Sequence, residues 1–367
     1  MKKAEVINLE KKRLAILFGG RSVEHEVSVD SANNIFNAID NNKYKIVVIG
    51  ISQKGEWYLY NKNNLKELVD PNDKKDYFEK LSVIPGKTDK QFYNLTKNQY
   101  LNNIDVVFPV LHGPYGEDGT IQGLLKNIDV PFVGSGVLAS AVAMDKVVMK
   151  RLLKSSNINI ADYLVFKNSK NIKVNDVKEK LGWPLFVKPA NLGSSVGVKK
   201  VTKEEELKKA VNYALKYDTK VIVEEFINGR EIECSVLGNE DISASLPGEI
   251  KPQVEFYSYE AKYINDKGAV LSFPADLTDE LTKNIKNISL KVYKTLLTKG
   301  MARVDCFLKE DNEIVVNEIN TIPGFTKISM YPKLWEISGI NYKNLIDRLI
   351  ELAFERFEKK NNLKNKM

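Results

Sequence analysis

With two histidines and two cysteines among 367 residues, none at the close paired spacing of a zinc motif, a structural zinc site is not expected. The cysteines, Cys234 and Cys306, sit in apolar, strand-like runs, EIECSVLG and ARVDCFLK. Each therefore reads as a buried reduced thiol rather than half of a disulfide or a nucleophile. No apolar run is long enough to cross a membrane, and the opening MKKAEVINLEKKR is charged throughout rather than signal-like. The expectation is a cytoplasmic chain with no membrane partner. A basic stripe is also missing. The net charge is +7, yet the lysines are scattered and often stand beside asparagine, as in NKNNLKEL and KKNNLKNKM, so no nucleic-acid partner is expected. There is no Ser-His-Asp or Cys-His pattern, so no protein nucleophile is indicated.

What is present suits a soluble globular protein of two or three domains: 43% hydrophobic and 28% charged residues, in a chain too long for one ordinary core. RLAILFGG (13–20) is an apolar run ending in two glycines. Beyond it, Val29, Ala32, Phe36 and Ile39 recur at helical spacing, and YKIVVIGIS (44–52) supplies a second strand. Strand, turn, helix and strand form a βαβ unit with parallel strands. Residues 104–128 repeat the theme, whereas 60–100 show no clear periodicity and read as a surface insertion. KEEELKKAVNYALKY is an amphipathic helix, with Thr202 and Glu205 as its expected capping box. Thr278 is the expected N-cap of a long helix running to about Leu297.

The segment MARVDCFLKEDNEIVVNEIN gives a metal-site argument from register alone. A two-residue turn at Asp311-Asn312 sets Asp305 opposite Glu318 and Arg303 opposite Asn320. Residues two apart on a strand share a face, so all four side chains meet on one patch. Two facing carboxylates repel unless a cation lies between them, and oxygen donors of this kind suit Mg²⁺. The alternative is an exposed charged sheet face with Arg303 paired to Asp305.

VKPANLGSSVGVKKV (187–201) holds a glycine-serine run between β-branched segments, and no helix follows it. It matches neither usual phosphate-loop pattern. Together with EEF before GREIE, ARVD and NEINTIPGF, it resembles the ATP-grasp enzymes. The N-terminal GGRSVEHEVS, with HGPYGEDGTIQG and YEAKY, is similar to the D-alanine–D-alanine ligase family. The resemblance spans nearly the whole chain.

It implies an α/β ATP-grasp fold of three domains. These are a parallel-sheet domain (1–135), a central α+β unit bearing a glycine-serine lid (136–227) and a C-terminal α+β unit with an antiparallel sheet and the metal site (228–367). It also implies ATP-dependent joining of two D-alanines through a D-alanyl phosphate, for peptidoglycan precursor synthesis. For ATP it implies Lys146, Lys188, Ser195 in the lid and Lys262 at the phosphates, Glu224, Glu225, Phe226 and Ile227 at adenine, and Glu231 at the ribose. Asp305, Glu318 and Asn320 become ligands of two Mg²⁺ ions, replaceable by Mn²⁺. Glu24 takes the first ammonium and hydrogen-bonds with Ser194 and Tyr263. His112 lies near the phosphorylated carboxyl, Arg303 and Gly324 form an oxyanion site, and Ser329, with Lys327 beside it, binds the second carboxylate. Relatives often carry arginine where this chain has His25. Tyr263 disfavours D-lactate as second substrate. A homodimer through the first domain completes the expectation.

Overall fold

A computed structural model describes residues 11–60, 70–72, 78–86, 89–252 and 269–363. The first unit contains β1 (Lys12–Gly19), α1 (His25–Ala38), β2 (Tyr44–Ile51), β3 (Trp57–Tyr60), β4 (Phe78–Val83), β5 (Phe92–Asn94), β6 (Gln99–Tyr100), β7 (Val106–Val110) and α2 (Thr120–Asn127). Strand β1 pairs in parallel with both β2 and β7, as the βαβ reading requires. Its two faces feed different cores. Leu14, Ile16 and Phe18 pack toward α1, while Ala15 and Leu17 pack with Ile121 and Leu125 of α2.

Residues 60–100 are not the featureless insertion expected. The described part carries antiparallel strands that extend the sheet in the order β6-β5-β4-β3-β2-β1-β7. Two- to six-residue strands are too short to show periodicity, and several of their buried positions are polar. Glu79, buried, accepts from Asn94 and pairs with Lys97, while Gln91 bonds to Asn103 and to the backbone of Ile104.

The second unit runs through α3 (Val137–Met144), α4 (Lys146–Ser155), β8 (Tyr163–Phe166), α5 (Val174–Leu181), β9 (Leu185–Pro189), β10 (Lys199–Val201), α6 (Glu204–Ala214) and β11 (Val221–Glu225). Its antiparallel sheet has the order β10-β9-β11-β8. Apolar residues of α5 and α6 cover one face. On the other, Val147 of α4 meets Ala190 and Ile222. The capping box of α6 lies one residue later than expected. Lys203 is the N-cap, and it is Glu206, not Glu205, whose carboxylate accepts from the backbone N–H groups of Thr202 and Lys203.

The third unit holds β12 (Arg230–Gly238), β13 (Ile242–Ala244), β14 (Gly248–Pro252), β15 (Ala269–Ser272), α7 (Asp279–Thr295), β16 (Gly300–Leu308), β17 (Ile314–Asn320), α8 (Met330–Ile337) and α9 (Tyr342–Asn361). The sheet order is β15-β14-β12-β16-β17, with β13 paired to β12. Thr278 caps α7 as expected, its hydroxyl accepting from the Leu281 N–H.

The β16–β17 hairpin delivers the expected facing pairs by a different route. Leu308 faces Ile314 and Lys309 N–H bonds to the Glu313 carbonyl. The turn therefore closes around three residues, with Asn312 left-handed at φ 66°, not around a two-residue Asp311-Asn312 turn. That shifts the register by one. A bulge at Asn317, opposite the Asp305–Cys306 step, shifts it back, so Asp305 does face Glu318 and Arg303 does face Asn320.

Helix α9 returns to the first unit, where Leu345, Ile346, Leu349 and Ile350 join the core around Leu14, Ile16 and Phe18. Leu349 is fully buried. Replacing it by alanine is expected to cost about 2–5 kcal/mol of stability, read as an earlier urea-unfolding midpoint, with near-UV signals of the first unit lost in the same transition.

Candidate active site

A cleft opens between the central sheet and the C-terminal sheet. Lys146, Lys188, Ser194, Ser195, Glu224, Glu225, Phe226, Ile227, Glu231, Asp305 and Glu318 all line it. Each reaches it through a definite element. Lys188 comes from β9, and Lys146 opens α4 behind the Asp145 N-cap. Glu224 and Glu225 end β11, Phe226 and Ile227 follow it, and Glu231 is the second residue of β12. The side chain of Glu225 is turned onto the Asp162 backbone N–H at 2.7 Å, so this residue offers the cleft mainly its backbone. The Phe226 ring lies 6.0 Å from that of Phe186.

The glycine-serine run joins two antiparallel strands, β9 and β10. Ser194 and Ser195 both adopt left-handed backbone, at φ 50° and 60°. Gly197, at φ 74°, passes so near Pro189 that a Cβ would lie 2.6 Å from its ring. Lys146 anchors the root of this loop. Its backbone N–H bonds to the Ala190 carbonyl and its ammonium to the Leu192 carbonyl at 2.7 Å. At the tip, the Ser194 hydroxyl donates to the carboxylate of Glu24, a buried residue just before α1. The loop thus closes onto the first unit.

On the floor, Arg303 is gripped from two sides. It makes paired bonds of 2.7 Å to Asp305 and lies 2.8 Å from the Glu233 carboxylate. The Asn320 amide donates to Asp305 at 2.9 Å, and Glu318 lies 3.4 Å from the Lys146 ammonium. Among the described residues no three His, Cys, Asp or Glu side chains converge as a metal-ligand group. The site offers two carboxylates and an amide, hard oxygen donors that suit Mg²⁺ when water and phosphate complete the shell.

A third cluster binds the first unit to the loop after β17. His112 Nδ1 lies 3.0 Å from the Ile322 carbonyl, so this nitrogen carries the proton and donates. Burial pulls the ring's pKa down to about 4, leaving a neutral imidazole whose Nε2 faces the Ser31 hydroxyl at 3.4 Å. Ser31 in turn accepts from the Phe325 N–H at 3.1 Å. Glu117 accepts from the Gly113 and Ile322 N–H groups at 2.8 and 3.2 Å. The turn beyond brings the Ser329 hydroxyl against Gly324, where a Cβ would approach it to 2.7 Å. The Thr326 backbone N–H donates to that hydroxyl at 2.9 Å. Lys327 is exposed on the same turn, and Lys262 and Tyr263 lie outside the described residues. His25 is buried, bonded to the Gly20 carbonyl and set 3.1 Å from Asp70, which marks it as a support of the glycine turn.

Comparison with known proteins decides the lineage. Residues 13–135 match the family described as D-ala D-ala ligase N-terminus, and residues 152–351 match D-ala D-ala ligase C-terminus. The chain belongs to the D-alanine–D-alanine ligase family. Ligase A of Escherichia coli K12 is 50% identical over 366 residues, covering 98% of this chain and all of that one. The ligase of Oceanobacillus iheyensis is 49% identical over 362 residues, 97% of this chain and 98% of the relative. Among solved structures, the D-alanine–D-alanine ligase of Coxiella burnetii superposes with a TM-score of 0.86 at 41% identity, covering 96% of both chains. The VanG D-Ala:D-Ser ligase of Enterococcus faecalis gives 0.85 at 37%, covering 94% of this chain and 100% of that one. The ATP-grasp α/β fold, with one mixed sheet and two antiparallel sheets, follows from these neighbours. No helix among the described residues of this ligase fold is long and apolar enough to cross a membrane.

Three residues of this ligase site escaped the sequence reading: the half-buried Glu117 and the buried Glu233 and Lys150. Glu233 could have been found, since it stands two positions after Glu231 and so shares its face. Lys150, one turn after Lys146, and Glu117, inside HGPYGEDG, carry no signal of burial. Burial first, and then the nearby Glu24 charge, push the Glu117 pKa up to about 8 against two backbone bonds that lower it. The unfolded chain releases this proton near 4.5 and the folded chain holds it to about 8, so rising pH removes stability across that window. Glu117→Gln is expected to flatten the fall in melting temperature between pH 5 and 8. An unchanged slope would show that Glu117 is ionised in the fold.

Proposed function

We propose that this chain joins two D-alanines to D-alanyl-D-alanine with conversion of ATP to ADP and phosphate, supplying a peptidoglycan precursor in the cytoplasm. The observation that carries the reading is the Ser194–Glu24 bond, in which the ATP-side loop closes on the carboxylate assigned to the first amino acid's ammonium. In the first step a D-alanine carboxylate oxygen attacks the terminal phosphorus of ATP, ADP leaves, and an acyl phosphate forms. Lys146 and Lys188 offset phosphate charge, Ser195 adds a donor from the lid, and Lys262 is assigned the terminal phosphate. Glu224, backbone groups of Glu225, Phe226 and Ile227, and Glu231 hold the nucleoside. Asp305, Glu318 and Asn320 fit two Mg²⁺ ions, which would neutralise the phosphates and polarise the transferring group.

In the second step the amine of another D-alanine, its carboxylate on Ser329, attacks the acyl carbon. A C–N bond forms, and the tetrahedral intermediate expels phosphate. The Arg303 guanidinium and the Gly324 N–H are assigned to the oxyanion, and the neutral His112 donates to the Ile322 carbonyl and helps hold this loop in place. Closure of residues 190–198 excludes water, which would otherwise hydrolyse the acyl phosphate. Tyr263 is assigned as third partner of Glu24 and Ser194, and Lys327 as a neighbour of the second carboxylate. The assembly is read as a homodimer through the first unit, on the family resemblance.

Purified protein with ATP, Mg²⁺ and D-alanine should yield D-alanyl-D-alanine and phosphate in equal amounts, measured by mass and colorimetric phosphate release. D-Lactate or D-serine added as competitor should give little mixed product. Phosphate without dipeptide would overturn the amino-acid assignment and leave the nucleotide half standing. Arg303→Met is expected to lower kcat by ~10²–10³-fold, as loss of an oxyanion donor does. EDTA should stop turnover, and Mg²⁺ or Mn²⁺ should restore it.

A further inference from the structure

The proposed reaction leaves one buried charge unexplained. Lys150 stands on α4, one turn after Lys146, and is only 1% exposed. A lysine so placed requires an anion, because desolvating an unpaired ammonium costs several kcal/mol. Its anion is Glu224, itself 3% exposed, whose Oε1 lies 3.0 Å from the Lys150 ammonium. The contact is an ion pair rather than an aligned hydrogen bond. The other carboxylate oxygen, Oε2, lies 2.6 Å from the Lys188 ammonium. The Lys150 ammonium lies 5.9 Å from the ring centroid of Tyr163, which itself packs on Val147, Ala190 and Ile222.

The two lysines are not equivalent. Glu224 and Lys188 line the cleft, and Lys188 keeps 16% of its side chain exposed, whereas Lys150 sits behind the carboxylate and does not reach the cleft. Lys188 is therefore claimed twice, by Glu224 and by the phosphates of a nucleotide. With a single cation available, recruiting it to phosphate would strand a buried carboxylate, a costly arrangement. A second cation behind the carboxylate removes that conflict.

We propose that Lys150 is a positioning residue for the nucleotide site: it neutralises Glu224 from behind, which frees Lys188 for the phosphates and keeps Glu224 as a charged acceptor toward the exocyclic amino group of an adenine nucleotide. The proposal rests on the assignment of Glu224 and Lys188 to the nucleotide. Flanked by these cations, the Glu224 carboxyl is held down at about 2 despite its burial.

Lys150→Met, Glu224→Gln and the double variant would be compared by calorimetric titration of the full-length protein with ADP. Lys150→Met should weaken ADP binding at least ~10-fold, as loss of one partner of a buried charge pair does. In the double variant the loss should stay within about threefold of Glu224→Gln alone, because the two changes act through one contact. Losses that instead multiply would overturn the proposal and reduce Lys150 to a packing role. Should Lys150→Met alone not fold, the added Glu224→Gln is expected to restore folding by removing the stranded charge, and a double variant that stays unfolded also overturns it. Undiminished ADP binding in Glu224→Gln would instead sink the nucleotide assignment of Glu224, and this proposal with it.

Discussion

The site is organised by a crowding of negative charge that strand register imposes. Glu233 faces Asp305 across β12 and β16, Asp305 faces Glu318 across β16 and β17, and Glu231 stands two positions from Glu233. Four carboxylates thus share one sheet face at the bottom of a cleft, where water screens them poorly. Such a surface is stable only with cations upon it. The chain supplies Arg303 between Glu233 and Asp305, and Lys146 beside Glu318. Any other cation brought to this face would answer the same electrostatic demand as these side chains. A cleft that must recruit positive charge to exist is already suited to a magnesium nucleotide.

The same logic extends to the lid. Glu24 belongs to the first unit and Ser194 to the second, and their hydrogen bond spans 170 positions of sequence. The Lys146 ammonium contacts both the root of this loop and the edge of the charged floor, so one side chain joins the two.

Much of this was legible in the sequence, though not always for the reason offered. The facing of Asp305 with Glu318 was read from a two-residue turn; the turn is longer, and the bulge at Asn317 cancels the difference. Period-2 alternation survives a paired slip of this kind, so the i, i+2 argument was sturdier than the turn argument. Strands β4 to β6 were missed because they are short and bury Glu79, Gln91 and Asn94, which carry no apolar signature. The burial of Lys150 was equally invisible, because pairing between distant elements decides whether a charge is buried. Motif resemblance located the cleft residues, while the network that supports them emerged only in three dimensions.

Helix α9 packs against α1 and so completes a core that includes Leu14 and Ile16 of β1. More than three hundred residues separate these partners. On a ribosome, the flank of α1 that this helix covers waits roughly 15–65 s at ordinary elongation speeds. For that interval the nascent first unit presents a greasy flank to whatever surrounds it. The helix that ends the described chain therefore acts as a completion signal: the N-terminal half, carrying Glu24 and His112, reaches its final packing only after the C-terminal half has been made.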